Sequence, residues 1–125
     1  MEVPKGHQAI MPYLILEGAA RFIEFTQKVF NAELTHRIDR EDEDKIKHAE
    51  LTINGCTIMF ADSLDKWKPA TANLFIYVDN ADTSFEMAKT LGATELMGLS
   101  DQEYGRTCGV TDPFGNVWWI TSIKK

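Results

Sequence analysis

One order of predicted elements occurs twice along this chain and restricts its fold more than any other feature: strand, helix, strand, strand, strand. In the first half, the apolar segment from Ala9 to Leu16 predicts a strand. From Ala19 the apolar residues recur with a helical period, which predicts an amphipathic helix. Asn31 can end that helix in the left-handed conformation.

Three further strands complete the first half. Glu33 to Asp39 and Lys45 to Ile53 predict a hairpin around an acidic tip. Asn54 and Gly55 form the strongest short hairpin signal, and they lead into a strand over Thr57 to Ala61.

The second half repeats this order after a linker. Residues 63 to 72 have no clear period and contain Pro69, so we interpret them as the linker between modules at about 8–62 and 73–123. Asn73 to Val78 predicts a strand, and the helical pattern that begins at Ala81 stops at Gly92. The remaining predicted strands are Ala93 to Leu99, Thr107 to Thr111 and Val117 to Ile123. The sequence therefore predicts an α+β chain of two βαβββ modules in a single domain of 125 residues.

Several stretches, in this order and spacing, are typical of a known family. They are Pro12-Tyr13-Leu14, Phe22-Ile23-Glu24-Phe25, Val29-Phe30-Asn31-Ala32-Glu33, His48-Ala49-Glu50-Leu51, Tyr77-Val78-Asp79, Tyr104-Gly105-Arg106 and Asp112-Pro113-Phe114-Gly115-Asn116-Val117-Trp118. Across residues 9 to 123 the chain resembles the vicinal oxygen chelate superfamily of glyoxalase and bleomycin-resistance proteins, and its PhnB-like branch in particular. The resemblance implies glyoxalase-like modules whose curled sheets form cups, with each helix outside. It also implies that cups close in pairs around a ligand cavity, often across a homodimer.

The resemblance also implies where a metal would bind. Metal-dependent members carry His, Gln or Glu at four positions, and the corresponding residues here are Met11, Met59, Asn73 and Trp119. None of these is a good ligand for zinc, nickel, iron or manganese. We therefore expect no metal and no other cofactor at the usual site. Glu17 and Asp79, at strand ends before the helices, are interpreted as helix-start residues.

Strand alternation identifies a polar pair that would face the first cup. Ala49 and Leu51 should pack under the helix, so His48 and Glu50 should point into the cup. A carboxylate beside an imidazole can hold its tautomer, which makes this pair the catalytic candidate. The alternative is a partly solvated polar pair near the hairpin end. His7 has no partner in view in the sequence and is expected at the surface, as is His36.

The same alternation gives the cups an aromatic lining. Trp118 should pack under the second helix, whereas the floor of the cup should hold Trp119. The predicted ligand-binding aromatic residues are Tyr13, Phe75, Tyr77 and Trp119, with core packing as the alternative. Arg106 completes the ligand-binding set at the predicted rim, where a guanidinium suits a ligand carboxylate or phosphate; a salt bridge to a nearby acid is the alternative.

Charge and composition limit the kinds of partner that this protein can bind. The net charge of −6 argues against binding to nucleic acid or to an anionic membrane, because both require a basic face. No apolar run approaches the ~20 residues of a membrane span, and Met1 to Ile10 lacks the apolar core of a signal peptide. Cys56 and Cys108 fit a reducing compartment. We therefore expect a cytoplasmic protein whose partners are a small organic ligand and a second copy of itself, since an open sheet leaves an edge to cover.

Three functions remain open at this level. The first is a protein that binds a small organic molecule without the classical metal. The second is a metal-dependent lyase, isomerase or dioxygenase of glyoxalase type, with a rearranged site that includes His48 and Glu50. The third is a non-catalytic interaction module whose cup is filled by its own side chains. Unpaired polar groups inside a filled cup would cost a few kcal/mol, which disfavours the third.

Overall fold

The computed structural model describes residues 1–123 and divides the chain into two compact units, Met1–Thr71 and the part from Ala72 onward. Each unit holds one four-stranded sheet and one helix. The predicted order of strand, helix and three strands is confirmed in both units, and so is the α+β fold class. Among the residues described, no helix has the length and apolar character needed to cross a membrane.

The first unit has the sheet order β1-β4-β3-β2. Strand β1 is parallel to β4, and the other neighbouring pairs are antiparallel. The bounds are β1 Tyr13–Leu16, α1 Ala19–Phe30, β2 Glu33–Asp39, β3 Ile46–Ile53 and β4 Cys56–Asp62. Asn31 ends α1 at φ 60°, and Asn54 and Gly55 form the turn before β4 at φ 50° and 80°, as their types predict.

The second unit repeats this arrangement with the order β5-β8-β7-β6. Strand β5 is parallel to β8, and the remaining pairs are antiparallel. The bounds are β5 Asn73–Tyr77, α2 Ala81–Thr90, β6 Thr94–Gln102, β7 Gly105–Thr111 and β8 Val117–Ser122. Strand β6 is longer than predicted.

Strand β1 is shorter than predicted, because the segment before it is held by side chains. Both ends of the Gln8 amide bond the backbone of Thr57: Nε2 donates to the carbonyl at 2.8 Å, and Oε1 accepts from the amide at 3.3 Å. The Thr57 hydroxyl donates to the carbonyl of Gly6. A side-chain amide therefore occupies the hydrogen-bonding groups that an extended β1 would have used.

Side-chain oxygens accept hydrogen bonds from the backbone amides at both helix starts. The carboxylate of Asp62, at the end of β4, accepts from the amides of Gly18 at 3.2 Å, Ala19 at 2.9 Å and Ile46 at 2.7 Å. Asn80 caps α2 by accepting from the amide of Thr83 at 3.2 Å. Glu17 and Asp79 directly precede Gly18 and Asn80, so they lie at the helix starts, as interpreted from the sequence.

Each sheet has a face covered by its helix and a face that we call the open face. In the first unit Ala49, Leu51 and Phe60 are fully buried on the covered face, where the Phe22 and Phe60 rings lie 5.1 Å apart. His48 and Glu50 lie on the open face, as strand alternation predicts.

In the second unit, the covered face is built around Trp118, which is 1% exposed. Its indole Nε1 donates to the Asp112 carboxylate at 2.8 Å. The same carboxylate accepts from the amides of Phe114 and Asn116, both at 2.9 Å, and fixes the turn before β8. Trp119 is only partly buried and lies on the open face, so the predicted register of β8 is confirmed.

Candidate functional site

A continuous hydrogen-bonded network lies on the open face of the first unit. The Tyr13 hydroxyl is 2.9 Å from His48 Nδ1, and His48 Nε2 is 2.8 Å from Glu50 Oε2. The other carboxylate oxygen, Glu50 Oε1, is 2.7 Å from His7 Nε2. The structure thus brings together three residues selected from the sequence and adds a fourth. We call Tyr13, His48, Glu50 and His7 the polar network.

The expectation that His7 has no partner was wrong. Its side chain is 21% exposed, and it reaches Glu50 because the Gln8 bonds to Thr57 hold the preceding segment beside β4. Side-chain bonds between residues about fifty positions apart leave no local pattern in a sequence. His36 is exposed, as expected, with its ring centroid 5.9 Å from that of His48.

Hydrogen bonding sets the charge of the network. The bond from His48 first, and then that from His7, lowers the pKa of Glu50 below its usual range despite the opposing effect of burial. Burial, followed by the charge of Glu50, raises the pKa of Tyr13. Near neutral pH the network therefore combines an ionised carboxylate with a neutral phenol.

The lowered pKa of Glu50 predicts an acid-dependent loss of stability. A carboxyl whose pKa is lower in the folded state stabilises the fold above its unfolded pKa, and that contribution disappears as the pH falls through the folded value. Wild type should therefore lose more unfolding free energy than Glu50→Gln between about pH 7 and about pH 3. Urea titrations at the two pH values measure this. Glu17→Gln, which removes one exposed carboxylate, should behave like wild type; equal losses in wild type and Glu50→Gln would contradict the prediction.

The open face of the second unit carries an aromatic cluster. Phe75, Tyr77 and Tyr104 are each slightly more than half exposed. The ring centroid of Phe75 lies 5.2 Å from that of Tyr77 and 6.3 Å from that of Tyr104. Trp119 is the direct neighbour of Phe75 in the β5–β8 register. These four residues are the aromatic cluster from here on.

Tyr104 belongs to this cluster although it was not among the aromatic residues predicted from the sequence to bind a ligand. It lies between β6 and β7, where strand alternation makes no prediction about the direction of a side chain. The local signal was an aromatic residue directly before Gly105. That glycine has a φ of 146°, and a Cβ added to it would lie 2.5 Å from the carbonyl oxygen of Ser122, so no side chain fits there.

Trp119 is held in place from two sides. Its Nε1 donates to Asn73 Oδ1 at 3.2 Å. Its ring lies on Gly109 of β7, where an added Cβ would be 2.5 Å from the indole. A glycine at this position is required for the indole to lie flat against the sheet.

Arg106 does not join the aromatic cluster. Its Nε and Nη2 donate to the two oxygens of Asp82 on α2 at 2.6 and 3.1 Å, and its Nη1 donates to Asp101 at 3.3 Å. These bonds raise the pKa of the guanidinium and lower the pKa of Asp82. The geometry favours the salt-bridge alternative, because all three guanidinium nitrogens already donate to carboxylates.

The residues at the four superfamily metal positions do not fit a divalent ion. Met59 offers a thioether, and the amide oxygen of Asn73 already accepts from Trp119, whose indole nitrogen is a donor only. Met11 supplies a second thioether. Within residues 1–123, no group of three or more His, Cys, Asp and Glu side chains is arranged to hold a metal ion.

Comparisons with known proteins agree with this architecture. The family model of the Glyoxalase/Bleomycin resistance protein/Dioxygenase superfamily matches residues 10–120. An uncharacterized protein of Mycobacterium bovis is 35% identical over 124 residues, covering 88% of this chain and 80% of its own length.

Solved structures share the fold at low identity. A PhnB protein from Bacillus cereus superposes with a TM-score of 0.78 at 22% identity, over 92% of this chain and 99% of its own. An antibiotic binding protein from a Streptomyces species superposes with a TM-score of 0.68 at 16% identity, over 94% of this chain and 100% of its own.

Proposed function

Because the chain belongs to the Glyoxalase/Bleomycin resistance protein/Dioxygenase superfamily, we propose that it binds a small, planar organic molecule on its aromatic cluster. Binding there needs no metal at the four superfamily positions. The observation that carries the proposal is the exposure of three aromatic rings beside Trp119 on a single sheet face.

The chemistry of the cluster suits a planar ligand. Exposed apolar side chains that are grouped on one surface are a common mark of a binding site. The edge-to-face arrangement of Phe75 and Tyr77, at 69°, leaves ring surface available for stacking. The hydroxyl groups of Tyr77 and Tyr104 add donors and acceptors that can orient a polar substituent.

The Streptomyces protein that shares the fold is described as antibiotic binding. At 16% identity this likeness concerns the fold only, so the class of ligand rests on the aromatic cluster itself.

Titration with the planar fluorophore anilinonaphthalene sulfonate tests the proposal. Its emission should saturate at one molecule per chain, equally with and without EDTA. Phe75→Ala removes the central ring of the cluster and should weaken binding roughly tenfold, which is about 1.4 kcal/mol. Trp119→Phe should reduce the energy transfer from protein to dye.

Met87→Ala is the matched control, since Met87 is an exposed apolar residue on α2, outside the cluster. It should bind the dye as wild type does. Unsaturable binding, or equal losses in Phe75→Ala and Met87→Ala, would show that the dye reports general surface hydrophobicity. Loss of binding on addition of EDTA would assign the site to a metal.

A homodimer is part of the same proposal. Strand β2 is an edge of its sheet, and most of its residues are exposed. Pairing or covering of such an edge is the usual outcome in natural proteins. Light scattering should give twice the chain mass at micromolar concentration, and a mass of one chain throughout that range would reject the dimer.

A further inference from the structure

The hydrogen-bonded contacts of Glu50 determine where the protons of the polar network lie. An ionised carboxylate can only accept hydrogen bonds, and each of its oxygens faces an imidazole Nε2. Both nitrogens must therefore carry a hydrogen. In a neutral imidazole the other nitrogen then has none, so His48 Nδ1 accepts from the hydroxyl of Tyr13.

This direction of donation leaves the Tyr13 oxygen able only to accept a further hydrogen bond. Its hydrogen is used by His48, so the oxygen offers only lone pairs to a molecule on the open face. Tyr13 is 47% exposed, whereas the side chains of His48 and Glu50 are 23% and 13% exposed. Tyr13 is thus the part of the network that a ligand can contact most directly, and it selects a hydrogen-bond donor.

The partners of Glu50 fix the orientation of its carboxylate. Bonds to His48 and His7 hold both oxygens, so the carboxylate is held in position for His48. The groups around it on the neighbouring strands are Met59 on β4 and His36 on β2, which add no fixed positive charge. One carboxylate oxygen of Glu50 thus faces His48 Nε2 directly, in the geometry of an ion pair.

From this arrangement we propose that Tyr13, His48 and Glu50 form a proton-accepting site for a small molecule with a weakly acidic hydroxyl group, such as a phenol or an enol. The ligand hydroxyl gives its proton to the Tyr13 oxygen while the Tyr13 hydrogen passes to His48 Nδ1. The products are the ligand anion, bound by the Tyr13 hydroxyl, and a His48 imidazolium paired with Glu50. One O–H bond of the ligand breaks and one N–H bond forms, with no net change in charge.

This site lies in the first unit and does not depend on the aromatic cluster of the second. Tyr13 contacts the ligand and His48 receives the proton. Glu50 and His7 are positioning residues, because they act on the ligand only through His48.

The probe p-nitrophenol tests the proposal, because its anion is yellow and its acid is colourless. At a pH slightly below the pKa of the free probe, saturating protein should raise the ratio of anion to acid about tenfold, equivalent to one pKa unit. The titration is made in wild type and in Phe75→Ala, so that binding to the aromatic cluster is excluded. Equilibrium dialysis measures the amount bound.

Two variants separate proton transfer from simple binding. Tyr13→Phe keeps the ring but removes the relay oxygen, so the bound probe should stay colourless. Thr52→Val is the matched control, because it removes a hydroxyl from β3 on the same face and leaves the polar network intact. It should give the wild-type colour. Equal colour in wild type and Tyr13→Phe, a colourless bound probe in wild type, or no binding would each overturn the proposal.

Nitrogen NMR of the imidazoles gives a readout that does not use the probe. In free wild type, the neutral form of His48 should carry its hydrogen on Nε2 and none on Nδ1. Glu50→Gln should disturb this tautomer, because an amide can present a donor to Nε2. A neutral His48 that carries its hydrogen on Nδ1 in wild type would reverse the direction of donation and reject the site.

Discussion

Replacement of Trp118 by alanine should lower the free energy of unfolding by roughly 3–5 kcal/mol, the usual range for truncation of a large buried aromatic residue. Trp118 is 1% exposed and is among the largest fully buried side chains of the described structure. Its removal leaves a cavity under α2 and takes one donor from the buried Asp112 carboxylate. Urea denaturation monitored by far-UV circular dichroism measures the loss.

Trp119→Ala is the matched control for this prediction. Trp119 is adjacent in sequence and has the same chemistry, but it lies on the open face and bonds the exposed Asn73. Its truncation should cost about 1 kcal/mol, which is near the average for a point substitution. A larger cost for Trp119 than for Trp118 would mean that the covered and open faces of β8 are exchanged.

Asp112→Ala should have a comparable effect for a different reason. Four donors share this carboxylate: the amides of Phe114 and Asn116, the Asn116 side chain and the Trp118 indole. Asn116 and Trp118 are almost completely buried, so water cannot replace the hydrogen bonds that this carboxylate accepts from them. Loss of one such buried bond costs about 1–3 kcal/mol, and the loss of several coupled ones should together cost about 3–5 kcal/mol.

Asp112→Asn separates charge from shape. The amide keeps one acceptor oxygen but presents hydrogens where the Asn116 and Trp118 donors point, so its cost should lie between wild type and Asp112→Ala. Asp44→Ala, at the exposed hairpin tip, should change the unfolding free energy by no more than about 0.5 kcal/mol. If Asp112→Asn were as stable as wild type, the charge of the carboxylate would be irrelevant to the turn.

Local patterns predicted the parts of this fold that local chemistry determines. The alternation in β3 placed Ala49 on the covered face and Glu50 on the open one, and the residue type at Asn31 marked the end of α1. The same two-residue period distinguished Trp118 from Trp119. In each case a strand or helix period acts on neighbouring residues, so a single sequence contains the information.

Contacts between distant residues were outside the reach of those patterns. The partner of His7 is Glu50, and the direction of Arg106 is set by Asp82, which is 24 positions away. Alternation alone could have placed Arg106 on the same side of β7 as the buried Cys108, two residues along the strand. The prediction that Arg106 lies at the rim of the cup did not take the strand alternation of β7 into account.

The candidate site was therefore only partly predictable. Strand alternation placed Phe75 and Tyr77 on the open face of the second unit. It placed His48 and Glu50 on the open face of the first, because alternate residues of a strand point to the same side. The position of the hydrogen on His48 depends on the neighbour of each ring nitrogen, Tyr13 at Nδ1 and Glu50 at Nε2. Only the three-dimensional structure supplies these neighbours.

The carboxylate of Asp62 links the start of α1 to the start of β3. This one side chain accepts from the amide of Gly18, which precedes α1, from that of Ala19, the first residue of α1, and from that of Ile46, the first residue of β3. Fraying of the helix start cannot be isolated from the strand, because a displaced carboxylate frees Ala19 and Ile46 together. These amides should exchange with solvent deuterium at a common rate, and the end of β4 then marks the boundary of one opening unit rather than of one element.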